Sequence, residues 1–316
     1  MKIALLVIYN HRYDKNIPRI EKLYEGKFSN IFHIMPFYDG NLPNVIPVYE
    51  SSYYFQSYIA QAYQHLKNMG FTHYFIVADD MILHPDIDEN NLFDMTGIPE
   101  NECFINDIRE VYDFYPLRYV FKKYKIKQKG VEVENILPSK AEAMEFFRKN
   151  GLNTKPLTTK YMVQIARYMF KARRLRAFME SIKDLLTHNN KIEYPLVWGY
   201  SDLLLLTSDI MNQFVRYCGA FAATKLFVEY AIPTALVFST DKIKTTSQIK
   251  LHGISQIYPK KKFNEPSIFR EGYEYRPKLM ELESFNEKFQ HETNKLIENY
   301  PENTFFIHPI KLSQWK

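Results

Sequence analysis

The sequence predicts an α/β fold, a mostly parallel sheet flanked by helices with a helical insertion near its middle. Three observations carry this. Short apolar runs alternate with segments of helical spacing from Lys2 to Ala78, in the β-α-β-β-α-β order that builds parallel sheets. The run Tyr74 to Ala78 ends in two adjacent acids, Asp79 and Asp80, as a buried strand does when it opens onto a ligand site at its carboxyl end. Residues 109–192 then turn basic and helical over a stretch too long for an unstructured loop.

Taken in order, Lys2 to Tyr9 reads as a buried strand opening onto the polar, aromatic loop of Asn10, His11, Arg12, Tyr13 and Asp14. Ile17, Ile20, Leu23 and Tyr24 recur at helical spacing and stop near Gly26. Asn30 to Met35 is a second strand closed by Pro36, and Val45 to Tyr49 a third beyond the turn-rich stretch around Asp39 and Gly40. Phe55 to Met69 is a helix with Gly70 as its stop. No Gly-x-Gly-x-x-Gly and no Gly-x-x-x-x-Gly-Lys-Ser/Thr occurs, which argues against a dehydrogenase-type site and a P-loop.

Glu110 to Lys127 and Ser139 to Asn150 read as helices, and Thr158 to Thr187 as one or two long basic ones. Beyond them, Trp198 to Asp202 form an aromatic, glycine-containing turn ahead of a strand starting at Leu203. Ile210 to Ala222 and Lys225 to Tyr230 read as helices, Ile232 to Phe238 as a short strand, Asp241 to Pro277 as a substrate-covering loop and Lys278 to Asn299 as a final helix. The chain thus divides at 1–108, 109–192 and 193–316.

With 316 residues, 46% hydrophobic and 24% charged, the chain has globular composition and can bury a large core. Its 24 Tyr and 24 Phe suit planar or sugar-like ligands, although an AT-rich coding sequence produces the same bias. The net charge of +5 is carried unevenly: Lys122, Lys123, Lys125, Lys127 and Lys129 form one cluster, Arg173, Arg174 and Arg176 another, Lys260 to Lys262 a third. Such runs are solvated faces or contacts to anions such as a membrane surface; no nucleic-acid-binding motif accompanies them. Two cysteines, Cys103 and Cys218, give no disulfide framework and fit a reducing compartment. Met1 to Tyr9 is too short an apolar run for a secretory signal. The expected location is cytoplasmic, peripheral at the inner face of the membrane.

Adjacent carboxylates such as Asp79 and Asp80 repel, so burying both forces one to protonate or draws in a cation; hard oxygen ligands suit Mg²⁺ or Mn²⁺. The same pair also serves as a helix cap or a solvated turn. With Asp202, Glu229, His308 and Lys311 further on, the chain resembles the GT-A class of nucleotide-sugar glycosyltransferases, in the style of bacterial enzymes that build O-antigen and capsule polysaccharides. The resemblance rests on an N-terminal α/β half ending in an Asp-x-Asp-like motif, here Ala78, Asp79 and Asp80, on a later acid, and on a C-terminal His.

The resemblance implies a UDP-linked donor, a glycan or lipid-linked glycan acceptor, and a Mn²⁺ or Mg²⁺ ion with Asp80 as direct ligand, Asp79 on a metal-bound water or the nucleotide's ribose, and His308 as the third protein contact, with Lys311 on the diphosphate. The acids are contiguous and Met81 follows, so which carboxylate touches metal stays open. Tyr9, Asn10 and Arg12 would meet the nucleotide, with Asp39 a further candidate, and Trp198 and Tyr200 the acceptor. For an inverting transfer, the base would be Glu229, set between apolar residues that favour a protonated carboxyl, or Asp202 beside the aromatic turn. Rival readings are a metal-dependent nucleotidyltransferase or phosphohydrolase, and a non-enzymatic scaffold docking through its basic helices.

Overall fold

A computed structural model describes residues 1–110, 124–152, 158–171, 173–189, 191, 193–255 and 282–316. The chain forms an α/β unit on a seven-stranded sheet. Its first half supplies β1 (Ile3–Ile8), α1 (Ile17–Tyr24), β2 (Ile31–Pro36), β3 (Val45–Val48), α2 (Gln56–Leu66), β4 (His73–Ala78), β5 (Ile82–Leu83), α3 (Leu92–Thr96), β6 (Cys103–Ile105) and β7 (Arg109–Glu110). Then follow α4 (Lys140–Lys149), α5 (Thr159–Lys171), α6 (Leu175–Leu186), β8 (Val197–Trp198), β9 (Leu203–Thr207), α7 (Met211–Ala223) and α8 (Val228–Ser239). The last are β10 (Ile243–Lys244), β11 (His252–Ile254), α9 (Leu282–Phe289), α10 (Thr293–Glu298) and β12 (Thr304–Ile307).

The central sheet runs β10-β6-β9-β4-β1-β2-β3, with β9 antiparallel to both neighbours and the other pairings parallel. β1 and β4 are buried at every residue, as strands covered on both faces must be, which is why they read as unbroken apolar runs. One core joins β1 and β4 to α2, α7 and α8; the other joins the opposite sheet face to α1, α9 and the segment around β12. A second sheet, β11-β12-β5, stands at the carboxyl end of β4, and β7 pairs with β8.

Local signals account for several boundaries. Gly97, at φ 73°, takes the left-handed position that closes α3. Ser139 and Glu142 form a reciprocal capping box at the start of α4. That helix packs on α8, with Phe147 and Phe238 in contact, so this part of 109–192 belongs to the main core. α5 and α6 pair with each other around a small cluster of Met162, Ile165 and Met169.

Several expectations need correction. Ile232 to Phe238 is not a strand: it lies within α8, whose residues are buried from Tyr230 through Phe238. A helix that is apolar all round shows no amphipathic period, so a short apolar stretch of it cannot be told from a buried strand by pattern. Thr158 to Thr187, expected as one or two helices, is two, as the expectation allowed, with Arg173 at φ 54° between them. The last helix is also two, parted by Gln290 and His291, both at φ 54°. Residues 124–127 are not helical, while 111–123, the greater part of the helix expected from Glu110, lie outside the described residues. The expected loop from Asp241 carries β10 and β11; its remainder from 256, like the start of the final helix through 281, is also outside them.

Candidate functional site

The acid pair occupies the turn between β4 and β5. The Asp79 amide donates to the Ile8 carbonyl (2.9 Å), and the Met81 amide to Ala78 (3.1 Å), so the chain leaves the sheet tightly and presents both carboxyls at its rim. β9 runs antiparallel beside β4, and the Ala78 amide donates to the Asp202 carbonyl (3.0 Å), which brings a third acid to the same edge. The second sheet supplies the cations. Ile307 of β12 pairs with Ile82 of β5, so His308 and Lys311 arrive over the turn, and the Ile310 amide donates to the Asp80 carbonyl (2.6 Å).

Side chains separated by more than two hundred residues therefore meet. Lys311 Nζ donates to Asp80 Oδ2, and His308 Nε2 lies 2.9 Å from Asp80 Oδ1 and 3.9 Å from Asp202 Oδ2. The Tyr200 hydroxyl shares a hydrogen bond with His308 Nδ1, which fixes the ring and turns Nε2 toward the acids.

Electrostatics separates the three carboxyls. Burial pushes Asp80 upward, but His308 and then Lys311 outweigh it and hold the group ionised, well below the ordinary carboxylate range. For Asp79, burial and then the Asp80 charge push the carboxyl up to about 7, outweighing the Asn16 hydrogen bond and the more distant Lys311 and His308. Burial also raises Asp202, with His308 opposing. His308 is raised because Asp80 and Asp202 outweigh its own desolvation. The cluster thus pairs one firmly ionised acid with two whose carboxyls burial raises, Asp79 more than Asp202.

The β1 loop contributes less than expected. Tyr9 is fully buried and its hydroxyl bonds His33 Nδ1 at 2.8 Å; its ring is core, not a platform for a base. Burial in turn depresses the His33 imidazole to about 4, so this partner stays neutral. Asn10 is exposed just past β1. Arg12 is held by Asp14 (3.1 Å) and Asp39 (2.6 Å) and lies over the Tyr38 ring, poised on the loop rather than free. The segment missed in sequence is Asn16. It sits at the N-cap of α1 and looks like an ordinary cap, but makes no cap bond; its Nδ2 donates to Asp79 Oδ2 at 3.2 Å.

The aromatic turn is locked from two sides. The Gly199 amide donates to the Glu229 carbonyl (2.9 Å) and the Tyr200 amide to Asp107 Oδ1 (2.7 Å), while Arg109 pairs with Asp107 and covers the Trp198 ring at 4.8 Å. Trp198 and Tyr200 are both buried, so neither offers an open ring to an acceptor; Tyr200 acts on His308 instead. Glu229 opens α8, half-buried, near enough to Tyr200 for its charge to be felt there. Asp107 was not foreseen, because a lone acid in a turn carries no distinguishing pattern.

For a metal, the donor chemistry fits. Asp80 Oδ1 is buried without a well-formed hydrogen bond, beside the imidazole nitrogen of His308, which Asp202 also approaches. Among the described residues no group of three or more His, Cys, Asp or Glu side chains forms a ready cage. An ion bound by one or two carboxylates and completed by phosphate oxygens and water needs none. A separate depression of about 700 Å³ between α1 and the start of β2, lined by Glu21, Phe28 and Asn44, is remote from this chemistry. Compared with protein-family models, characterised proteins and solved structures, the chain matches none.

Proposed function

We propose that the protein is a glycosyltransferase of the GT-A kind that moves a sugar from a nucleotide donor, UDP-linked, to a glycan or lipid-linked glycan in bacterial surface polysaccharide synthesis. The observation that carries the reading is the meeting of Asp79 and Asp80, at the end of a central strand, with His308 and Lys311. Acids that tolerate each other only with cations nearby, set at the carboxyl rim of a largely parallel sheet, suit a diphosphate and a divalent ion.

Asp80 and His308 would hold Mn²⁺ or Mg²⁺, with Asp79 ionising as the ion arrives. When bound, the ion supplies positive charge against the diphosphate that departs. The chain's own residues do the rest. Lys311, half-exposed at 52%, can exchange Asp80 for a phosphate oxygen and stabilise the leaving group. Tyr200 keeps His308 Nε2 aimed inward. Asp202, at 29% side-chain exposure beside the cluster and raised by burial, is the better placed base: it would take the acceptor hydroxyl proton as the bond to the sugar forms. Glu229 is the other candidate and is held closer to the aromatic turn. Arg12 and Asn10, on the loop after β1, would contact the nucleotide.

The test is thermal denaturation with a panel of nucleoside diphosphates, each with and without Mn²⁺. UDP at a hundredfold over its Kd should stabilise the chain by about 2.7 kcal/mol, only with metal, and Asp80→Asn should abolish the response. No response to any diphosphate would end the reading.

A further inference from the structure

The hairpin of α5 and α6 has a side that the nucleotide-sugar site does not explain. At 3.6 residues per turn, Leu175, Met179, Ile182 and Leu186 fall within about 60° of one another on α6. Phe178, Ser181 and Leu185 lie about a quarter-turn away, and there the helix meets α5. The first stripe faces outward: Leu175 is 67% exposed, Met179 65% and Leu186 75%. Phe170, 62% exposed on α5, extends it through its ring contact with Phe178. Large side chains exposed in a row along one helix, rather than scattered singly, mark a surface that something covers.

Charge identifies the occupant. Between 158 and 189 the sequence holds seven Lys or Arg against two acids, a local +5 that equals the net charge of the whole chain. Of the acids, Asp184 is buried with Asn189 at 3.2 Å, and Glu180 is held by Arg176. Arg176 and Lys183 flank the stripe on the side away from α5, and Arg173 and Arg174 precede it, all four exposed. An apolar ridge edged with long cationic side chains is the form of an interfacial helix: the ridge enters the boundary between headgroups and acyl chains while the cations reach lipid phosphates. A second copy would bring a like charge against it.

We propose that α6, with Phe170 of α5, docks on an anionic bilayer surface, independently of what the rim of the sheet catalyses. No described helix is long and apolar enough to cross a membrane, so the contact would be peripheral and reversible.

Flotation of the full chain with phosphatidylcholine vesicles, with and without phosphatidylglycerol, tests this. The chain should float with the anionic vesicles, stay behind with the neutral ones, and release as salt rises. Replacing Arg173, Arg174 and Arg176 by Gln should weaken partitioning by about two orders of magnitude, at roughly fivefold per charge. The triple variant Leu175→Ser, Met179→Ser, Leu186→Ser changes only exposed positions; it should keep the parent melting temperature and lose flotation. No flotation of the parent, equal binding to both vesicle types, or parent-like binding by either variant overturns the proposal. So does a parent dimer in solution that the Ser variant dissolves, which would make the stripe an interface between copies.

Discussion

Asp79→Asn in metal-free buffer isolates the electrostatic conflict at the end of β4. Burial and the neighbouring Asp80 charge move the Asp79 carboxyl from 3.8 up to about 7. At 1.36 kcal/mol per pH unit that is worth about 4 kcal/mol. Asp79 retains some contact with solvent, and screening brings the expected value to about 2 kcal/mol. Between the two pKa values the folded chain keeps a proton that the unfolded chain has released. Stability from this group is therefore complete below the unfolded value and declines as pH rises toward 7. Asparagine imitates the protonated acid at every pH. The variant should match the parent near pH 4 and exceed it by about 2 kcal/mol near pH 8, read from chemical denaturation in EDTA with both proteins at each pH. Titrating groups that do not feel the Asp79 charge cancel in that comparison. A variant equally stable or weaker near pH 8 would show that Asp79 ionises without penalty, and the need for a cation at the rim would disappear with it.

Two further outcomes follow from the same contacts. Lys311→Met leaves buried Asp80 with His308 alone; losing a partner from a fully buried pair costs about 3–5 kcal/mol, and the half-exposure of Lys311 reduces this to about 2. Because Lys311 also opposes protonation of His308, the imidazole titration followed by NMR should move upward in this variant; no movement would place Lys311 outside the cluster. Gly199→Ala sets a Cβ against the Asp107 carbonyl oxygen, well inside contact distance, and the obstacle is backbone rather than a flexible side chain. A loss of about 1–3 kcal/mol in denaturation is expected, while parent stability would mean that the 107–109 segment yields freely.

The residues up to Ala78 were legible because their signals are local. Ile17 and Ile20 face the core one turn apart, Gly26 and Gly70 sit just past the helices at positive φ, and β1 and β4 are buried at every position. The second sheet was not legible. Its strands are two to four residues long, too short to show a period, and their pairing depends on contacts across the whole chain. At the site, Asp79, Asp80, Asp202, His308 and Lys311 could be singled out by type and position, whereas Asn16 and Asp107 resemble ordinary cap and turn residues. Tyr9 misled for a related reason: its place at the end of β1 is that of a loop residue, and only the buried hydrogen bond to His33 shows that it turns inward.

How far a cation can neutralise a buried acid depends on how firmly it is held, and here the holding is done elsewhere in the fold. Lys311 stands between Ile310, whose amide is tied to Asp80, and Leu312, whose carbonyl accepts from the Arg19 guanidinium of α1. Beyond it, Trp315 packs on Phe285 and His291, and Lys316 exchanges backbone hydrogen bonds with His291 and Thr293. The ammonium group is free to swing because its side chain is half-exposed, but its Cα is not. That division matters for a site of this charge pattern. A lysine on a loose tail would lose conformational entropy each time it met Asp80 and would partly leave the acid uncompensated. An anchored one stays within reach of Asp80 and keeps its side-chain freedom, so the pair holds together without fixing the ammonium group in a single geometry.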